Sequence, residues 1–144
     1  MRPKASITNR IVAKIIDIII VVAVAVILPY PLGPLLGFIY SILADGMNHG
    51  PFKGQSIGKK IMKLQVVSLK QERMPAGYKD SAFRNAPVGV ATFFAIIPIW
   101  GWIILALIGL PLMAIEIYLM VRIDTGHRLG DVMGDTEVIE VRGA

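Results

Sequence analysis

Arg10 opens an apolar run, Ile11 to Leu28, that carries Asp17 seven residues inside it. A run of this length with few charges is enough for a membrane-spanning helix. A carboxylate at that depth is costly to hold there, so it marks a functional position by default. Lys14 lies between the two charges. On a helix Arg10, Lys14 and Asp17 fall at i, i+4 and i+7 and share one face. That face is charged, while the rest of the segment is Ile, Val and Ala.

The wider composition agrees with this reading. Hydrophobic residues make up 55% of the 144 and charged residues 17%, with a mean hydropathy of +0.66. A soluble domain carries about 25% charged residues, so the deficit fits one domain whose surface faces lipid. The chain has no cysteine, which excludes disulfides and cysteine-based metal sites. A cleaved signal peptide is the disfavoured reading of the N-terminus. The run is longer than a signal core, one face is charged, and it continues as Pro29-Tyr30-Pro31 rather than into a small-residue cleavage site. The net charge of +5 does not indicate nucleic acid, because the basic residues cluster beside the apolar segments.

Four apolar segments are predicted as spans, at about 9–28, 32–45, 84–98 and 101–121. They are broken by Pro29–Pro34 and Pro98–Gly101, where proline ends helices. Both connectors are uncharged. Under the positive-inside rule the N-terminus, the middle stretch 46–83 and the tail 122–144 are therefore cytoplasmic. Tyr30, Trp100 and Trp102 suit the opposite interface. Fusing the last two segments into one span would leave Arg122, Arg128 and Arg142 outside, so two hairpins are preferred. Gly109-Leu110-Pro111 predicts a kink in the fourth. In the middle stretch, Gln55 to Leu64 is expected to form an amphipathic helix with Ile57, Ile61 and Leu64 on one face. Lys59, Lys60 and Lys63 then reach lipid headgroups. Leu64–Leu69 and Thr136–Val141 read as strands that pair into a small sheet. The expected fold is an all-α membrane protein of four transmembrane helices with a cytoplasmic amphipathic helix and a two-stranded sheet. It is a single domain in the cell membrane, multi-pass, with both termini cytoplasmic.

Three stretches together resemble the RDD family of small membrane proteins: Asn9–Asp17, Gly54–Val67 and Arg128–Val138. By that resemblance Arg10, Asp17 and Asp131 form the naming triad, and the resemblance implies transport, most concretely monovalent cation/proton antiport. Lys14 departs from the family pattern, in which an apolar or aromatic residue is usual.

Depth adds an independent expectation. At 1.5 Å per residue, Asp17 lies about 10 Å inside Arg10, Lys14 about 6 Å, and Glu116 about 9 Å inside Arg122. Asp17, Glu116 and Lys14 are therefore expected to form one buried cluster that binds Na+ or H+, rimmed by Arg10 and Arg122. Alternatively, Asp17 pairs with Arg10, Lys14 or a basic tail residue and simply locks helices together. Asp131 is expected either to pair with Arg10 at the cytoplasmic mouth or to cap a helix. Asp124, His127, Asp131 and Asp135 have a spacing open to metal, but a solvated tail is the preferred reading. Gly33 and Gly37 match a small-residue packing pattern, for helix packing or self-association. Neither GxGxxG nor GxxxxGK[ST] occurs, and both histidines sit in polar turns, so no cofactor and no enzymatic activity are expected. Because four short spans leave little room for a path, a homo-oligomer is expected. The competing reading is a scaffold that binds anionic lipid or an acidic protein through its basic face.

Overall fold

In the computed structural model residues 3–123 and 126–141 are described; Asp124 and Arg142, considered above, lie outside them. Helix α1 (Ile7–Ile27) starts at Ser6, whose side chain accepts the Asn9 N–H at 3.2 Å. It stops at Leu28, before the Pro29-Tyr30-Pro31 turn. Helix α2 (Leu32–Leu43) turns back along α1 and tightens into a 3-10 turn, Ala44–Gly46. The small residues set this packing within the chain: a Cβ on Gly33 would lie 2.7 Å from the Ala25 carbonyl oxygen, and one on Gly37 3.1 Å from Val21.

The middle stretch yields a single helical turn, α3 (Ile57–Ile61), and strand β1 (Leu64–Ser68). The predicted amphipathic helix is thus half its expected length. Leu64 belongs to the strand, and Ile61 is exposed. Helix α4 (Tyr78–Phe93) begins earlier than the predicted span at 84, because its first turns bury Ser81, Arg84 and Asn85 instead of apolar side chains. A 3-10 turn, Phe94–Ile96, and a sharp bend with Ile99 at φ +60° separate it from α5 (Trp100–Arg122), so the last two apolar segments are not one helix. Within α5 the residues Leu105–Gly109 form a π-helical turn. It lies just before Pro111, which has no N–H to donate to the preceding turn. The tail folds into α6 (Leu129–Met133) and β2 (Thr136–Glu140).

Both predicted strands are present. β1 and β2 pair antiparallel, from Leu64 opposite Glu140 to Ser68 opposite Thr136. The sheet packs onto the start of α1, burying Ala13, Leu64, Val66, Ala76 and Val138 together. The protein is therefore mostly helical with one small sheet. Among the described residues one helix, Trp100–Arg122, is clearly long and apolar enough to cross a membrane, with a mean hydropathy of 2.3. α1 has 21 residues, but Arg10, Lys14 and Asp17 all lie within it. The short apolar helix from Leu32 to Gly46 makes a further hydrophobic segment.

Candidate functional site

At the end of the helices nearest the sheet, charged side chains from α1, α4, α5, α6 and the α2 turn are drawn out of solvent into one network. Asp131 is its centre. Its carboxylate accepts from Arg10 and Arg84, from Arg128 Nε at 3.3 Å and from the Arg128 backbone N–H at 3.2 Å. The predicted Arg10–Asp131 pairing and the helix-cap role therefore hold together, since Asp131 also caps α6. Gly130 lets α6 approach this closely: a Cβ there would lie 1.9 Å from the Arg84 carbonyl oxygen. Asp45 accepts from Lys59 at 2.6 Å, Arg84 Nε at 2.9 Å and Asn85 at 3.3 Å. Arg128 spans between them, donating to Glu116 at 3.0 Å and to the Asn85 side-chain oxygen at 3.0 Å. Arg84 also reaches the Thr136 hydroxyl at 3.0 Å and so ties the sheet to the helices. Burial alone would raise the Asp131 carboxyl, but Arg84, Arg128 and Arg10 outweigh it and hold the group well below the usual carboxylate range. Burial likewise opposes the charge on Arg128, yet Glu116, Asp131 and Asp45 raise it above its ordinary value.

Asp17 stands apart from this network. Its carboxylate accepts from the Ser56 hydroxyl at 2.6 Å, the Tyr40 hydroxyl at 2.7 Å and the Gly58 N–H at 2.9 Å. All three donors are neutral. The expected ion pair with Arg10, Lys14 or the tail is absent among the described residues, because the first turn of α3 occupies the carboxylate instead. The expected Asp17–Glu116–Lys14 cluster also divides: Glu116 goes to Arg128, leaving its Oε1 buried and without a hydrogen bond. Arg122 is not a rim residue. It is exposed and lies over the Tyr118 ring at 5.7 Å. Asp131 is buried among arginines, not solvated, and no group of three metal-ligating side chains is gathered among the described residues.

Above the network a cavity of about 320 Å3 opens between α1, α2, α4 and α5. Lys14, Asp17, Tyr40, Asp45, Lys59 and Asn85 line one end of it, while Ile18, Val21, Val88, Leu105 and Trp102 are among its apolar walls. Lys14 makes no hydrogen bond and has no carboxylate within 4 Å among the described residues. It senses Arg128, Lys59, Asp45 and Glu116 only at longer range.

Sequence reasoning placed Lys59 at the lipid headgroups, but it is buried against Asp45. One turn of helix cannot present three neighbouring lysines to the same side. Lys60 and Lys63 remain exposed. Lys59→Met is therefore expected to destabilise the protein by about 3 kcal/mol, the scale of a broken buried pair. Lys60→Met should stay within about 0.5 kcal/mol. Thermal melts of the two variants in detergent test the contrast. Asp45, Arg84, Asn85 and Arg128 were not foreseen as site residues. Their signal was positional: Asp45 ends one apolar segment, and Arg84-Asn85 precedes another.

A span-length apolar helix, charged groups buried at one end and a small sheet closing that end describe a small helical membrane-associated protein. The sequence model of the RDD family matches residues 28–135, and the chain belongs to that family, which is membrane-associated and of uncertain function. The match takes in Gly54–Val67 and the core of the C-terminal motif, whereas Asn9–Asp17 lies ahead of it. No curated protein and no solved structure matched the chain.

Proposed function

We propose that this chain is a four-span carrier of the cell membrane that exchanges a monovalent cation for a proton at the Lys14–Asp17 cavity. One observation carries the reading: a buried carboxylate and a lysine line the same cavity, and among the described residues neither is in an ion pair. The cavity's charged residues are Lys14, Lys59, Asp17 and Asp45, which balance. When Lys14 releases its proton, a single cation at Asp17 takes the place of the charge that was lost. The exchange is one cation for one proton, so the charge of the buried site never changes and no net charge has to be desolvated. The Tyr40 and Ser56 hydroxyls turn their oxygens to the cation as they release the carboxylate, supplying the hard oxygen ligands such an ion needs.

In this reading α1, α2, α4 and α5 span the bilayer, with the ion network, the sheet and both termini on the cytoplasmic side. The two connectors lie opposite, where the Tyr30 hydroxyl bonds the Ile96 carbonyl. Copies self-associate through apolar outer faces such as Ile15 and Ile19 on α1 and Leu107 on α5. The test is proton flux in vesicles after Na+ or K+ pulses. Lys14→Met, which removes no hydrogen bond, is expected to fold normally and to abolish coupled flux. Asp17→Asn should do the same. A folded Lys14→Met protein with undiminished flux rules the exchange out.

A second reading rests on a different observation: Lys60, Ile61 and Lys63 are all exposed on one short segment. There the protein is a scaffold holding anionic lipid or an acidic partner. Loss of anionic-vesicle or partner capture in the Lys60/Lys63 double variant, with no cation flux in the wild type, selects this reading.

A further inference from the structure

The cavity is much larger than one ion and its ligands require. Its roughly 320 Å3 equals about ten waters at about 30 Å3 each, and falls in the range of small organic-molecule sites. It is also polarised along its length. On α1 the lining runs from Lys14 and Asp17 to Val21 and Val22, a rise of about 12 Å. On α5 it runs from Met113 to Trp102, about 16 Å. Charge is confined to the end nearest the ion network; beyond it the lining is apolar apart from the Ser41 and Thr92 hydroxyls, which bond each other at 3.2 Å, and it carries an indole. A bare ion uses only the first end.

The wall on the α5 side is the π-helical turn, since Leu105, Ala106 and Gly109 all face the cavity. Single π-helical turns inside α-helices recur at functional sites. Here the turn lines the middle of the cavity with Leu105, Ala106 and Gly109. Trp102 stands beyond it, and an indole ring offers a large apolar contact for the body of an organic molecule.

Building on the exchange reading above, we propose that the exchanged cation is an organic monocation with an apolar body. Its charged head sits at Asp17 after Lys14 has released a proton, and its body lies along Val21, Val88 and Leu105 toward Trp102. Exchange for one Lys14 proton sets the head as a single positive charge. The apolar middle and the indole fix the body as aliphatic or aromatic. Binding and release make and break no covalent bond; one proton leaves Lys14 for each cation that arrives.

Benzyltrimethylammonium is a suitable probe, because its permanent charge prevents it from crossing the bilayer as a neutral amine. In the full-length protein in detergent, with Trp100→Phe so that Trp102 is the sole indole, it is expected to shift the emission saturably. Asp17→Asn and Ala106→Phe should each weaken it by about tenfold or more, a change of about 1.4 kcal/mol. Na+ should produce no shift. In vesicles the same cation should drive proton flux in the wild type. No saturable shift, or a shift indifferent to Ala106→Phe in a folded protein, overturns the proposal. If the shift is absent while Na+ or K+ drives Lys14-dependent flux, the organic cargo fails and the exchange reading stands. If the shift is present and obeys both variants while no cation drives flux, the site for the organic cation holds and the exchange reading fails.

Discussion

Asp131→Asn is expected to destabilise the protein by about 3–5 kcal/mol, the scale of removing one member of a buried charge pair. The substitution keeps the shape but takes away the negative charge that Arg10, Arg84 and Arg128 share. Three guanidinium groups, each within a tenth of full burial at the side chain, then face one another with Asp45 and Glu116 the carboxylates left to them among the described residues. Thermal unfolding in detergent reads the loss, and a melting temperature within a degree or two of wild type contradicts it. The pH profile is a second readout. The folded Asp131 carboxyl is held well below its ordinary value by the three arginines, against the opposing effect of burial. A carboxylate depressed on folding stabilises fully above its unfolded pKa, about 3.9, and loses that contribution as pH falls through the folded value. Wild type should therefore hold its stability down to about pH 4 and lose it below, while Asp131→Asn lacks that acid-sensitive component.

The second large effect is expected from Gly58→Ala. A Cβ at Gly58 would lie 2.1 Å from the Ala13 carbonyl oxygen and 3.0 Å from the Asp17 carboxyl carbon. Neither can move cheaply, one being helix backbone and the other a carboxylate held by three donors. The first turn of α3 must therefore lift off α1, breaking the Gly58–Asp17 bond and loosening Ser56 with it. Overpacking of this kind costs about 1–3 kcal/mol, and under the exchange proposal coupled flux should fall, the outcome expected also of Asp17→Asn. Gly77→Ala is the control, since its added Cβ meets only the Asp80 side chain at 4.0 Å. Equal melting temperatures and fluxes in the two variants would show that the Gly58 contact does not hold the site.

What could be read from the chain follows from the range of each signal. The strand at Thr136–Glu140 was legible because alternation is local, and the turn before α2 because proline acts locally. Gly33 and Gly37 were legible as packing residues but not as to which helix they met. Family resemblance singled out Arg10 and Asp131, and their pairing was one of two readings of Asp131, while the partners of Asp45 were not foreseen, because residues 59, 84 and 85 carry no mutual signature in sequence. The start of α4 was missed for a related reason. Ser81, Arg84, Asn85 and Val88 repeat at helical spacing and are all buried, yet three of the four are polar. A periodicity search for apolar residues passes over a helix whose inner face is built from hydrogen bonds. Lys59 was misread because burial of a lysine depends on a carboxylate 14 residues away.

The ion network draws on both ends of the chain, which bears on how the protein is made. Arg10, Asp45 and Arg84 leave the ribosome before Arg128 and Asp131 exist. Until the C-terminal motif emerges, Arg84 has Asp45 for its carboxylate, while the Asp131 that Arg10 pairs with does not yet exist. Strand β2 and α6 must then close onto helices already made. Before that motif is in place Arg10 and Arg84 lack Asp131, the carboxylate they share, so the packing of the helix ends is settled by a segment synthesised after all of the helices it joins.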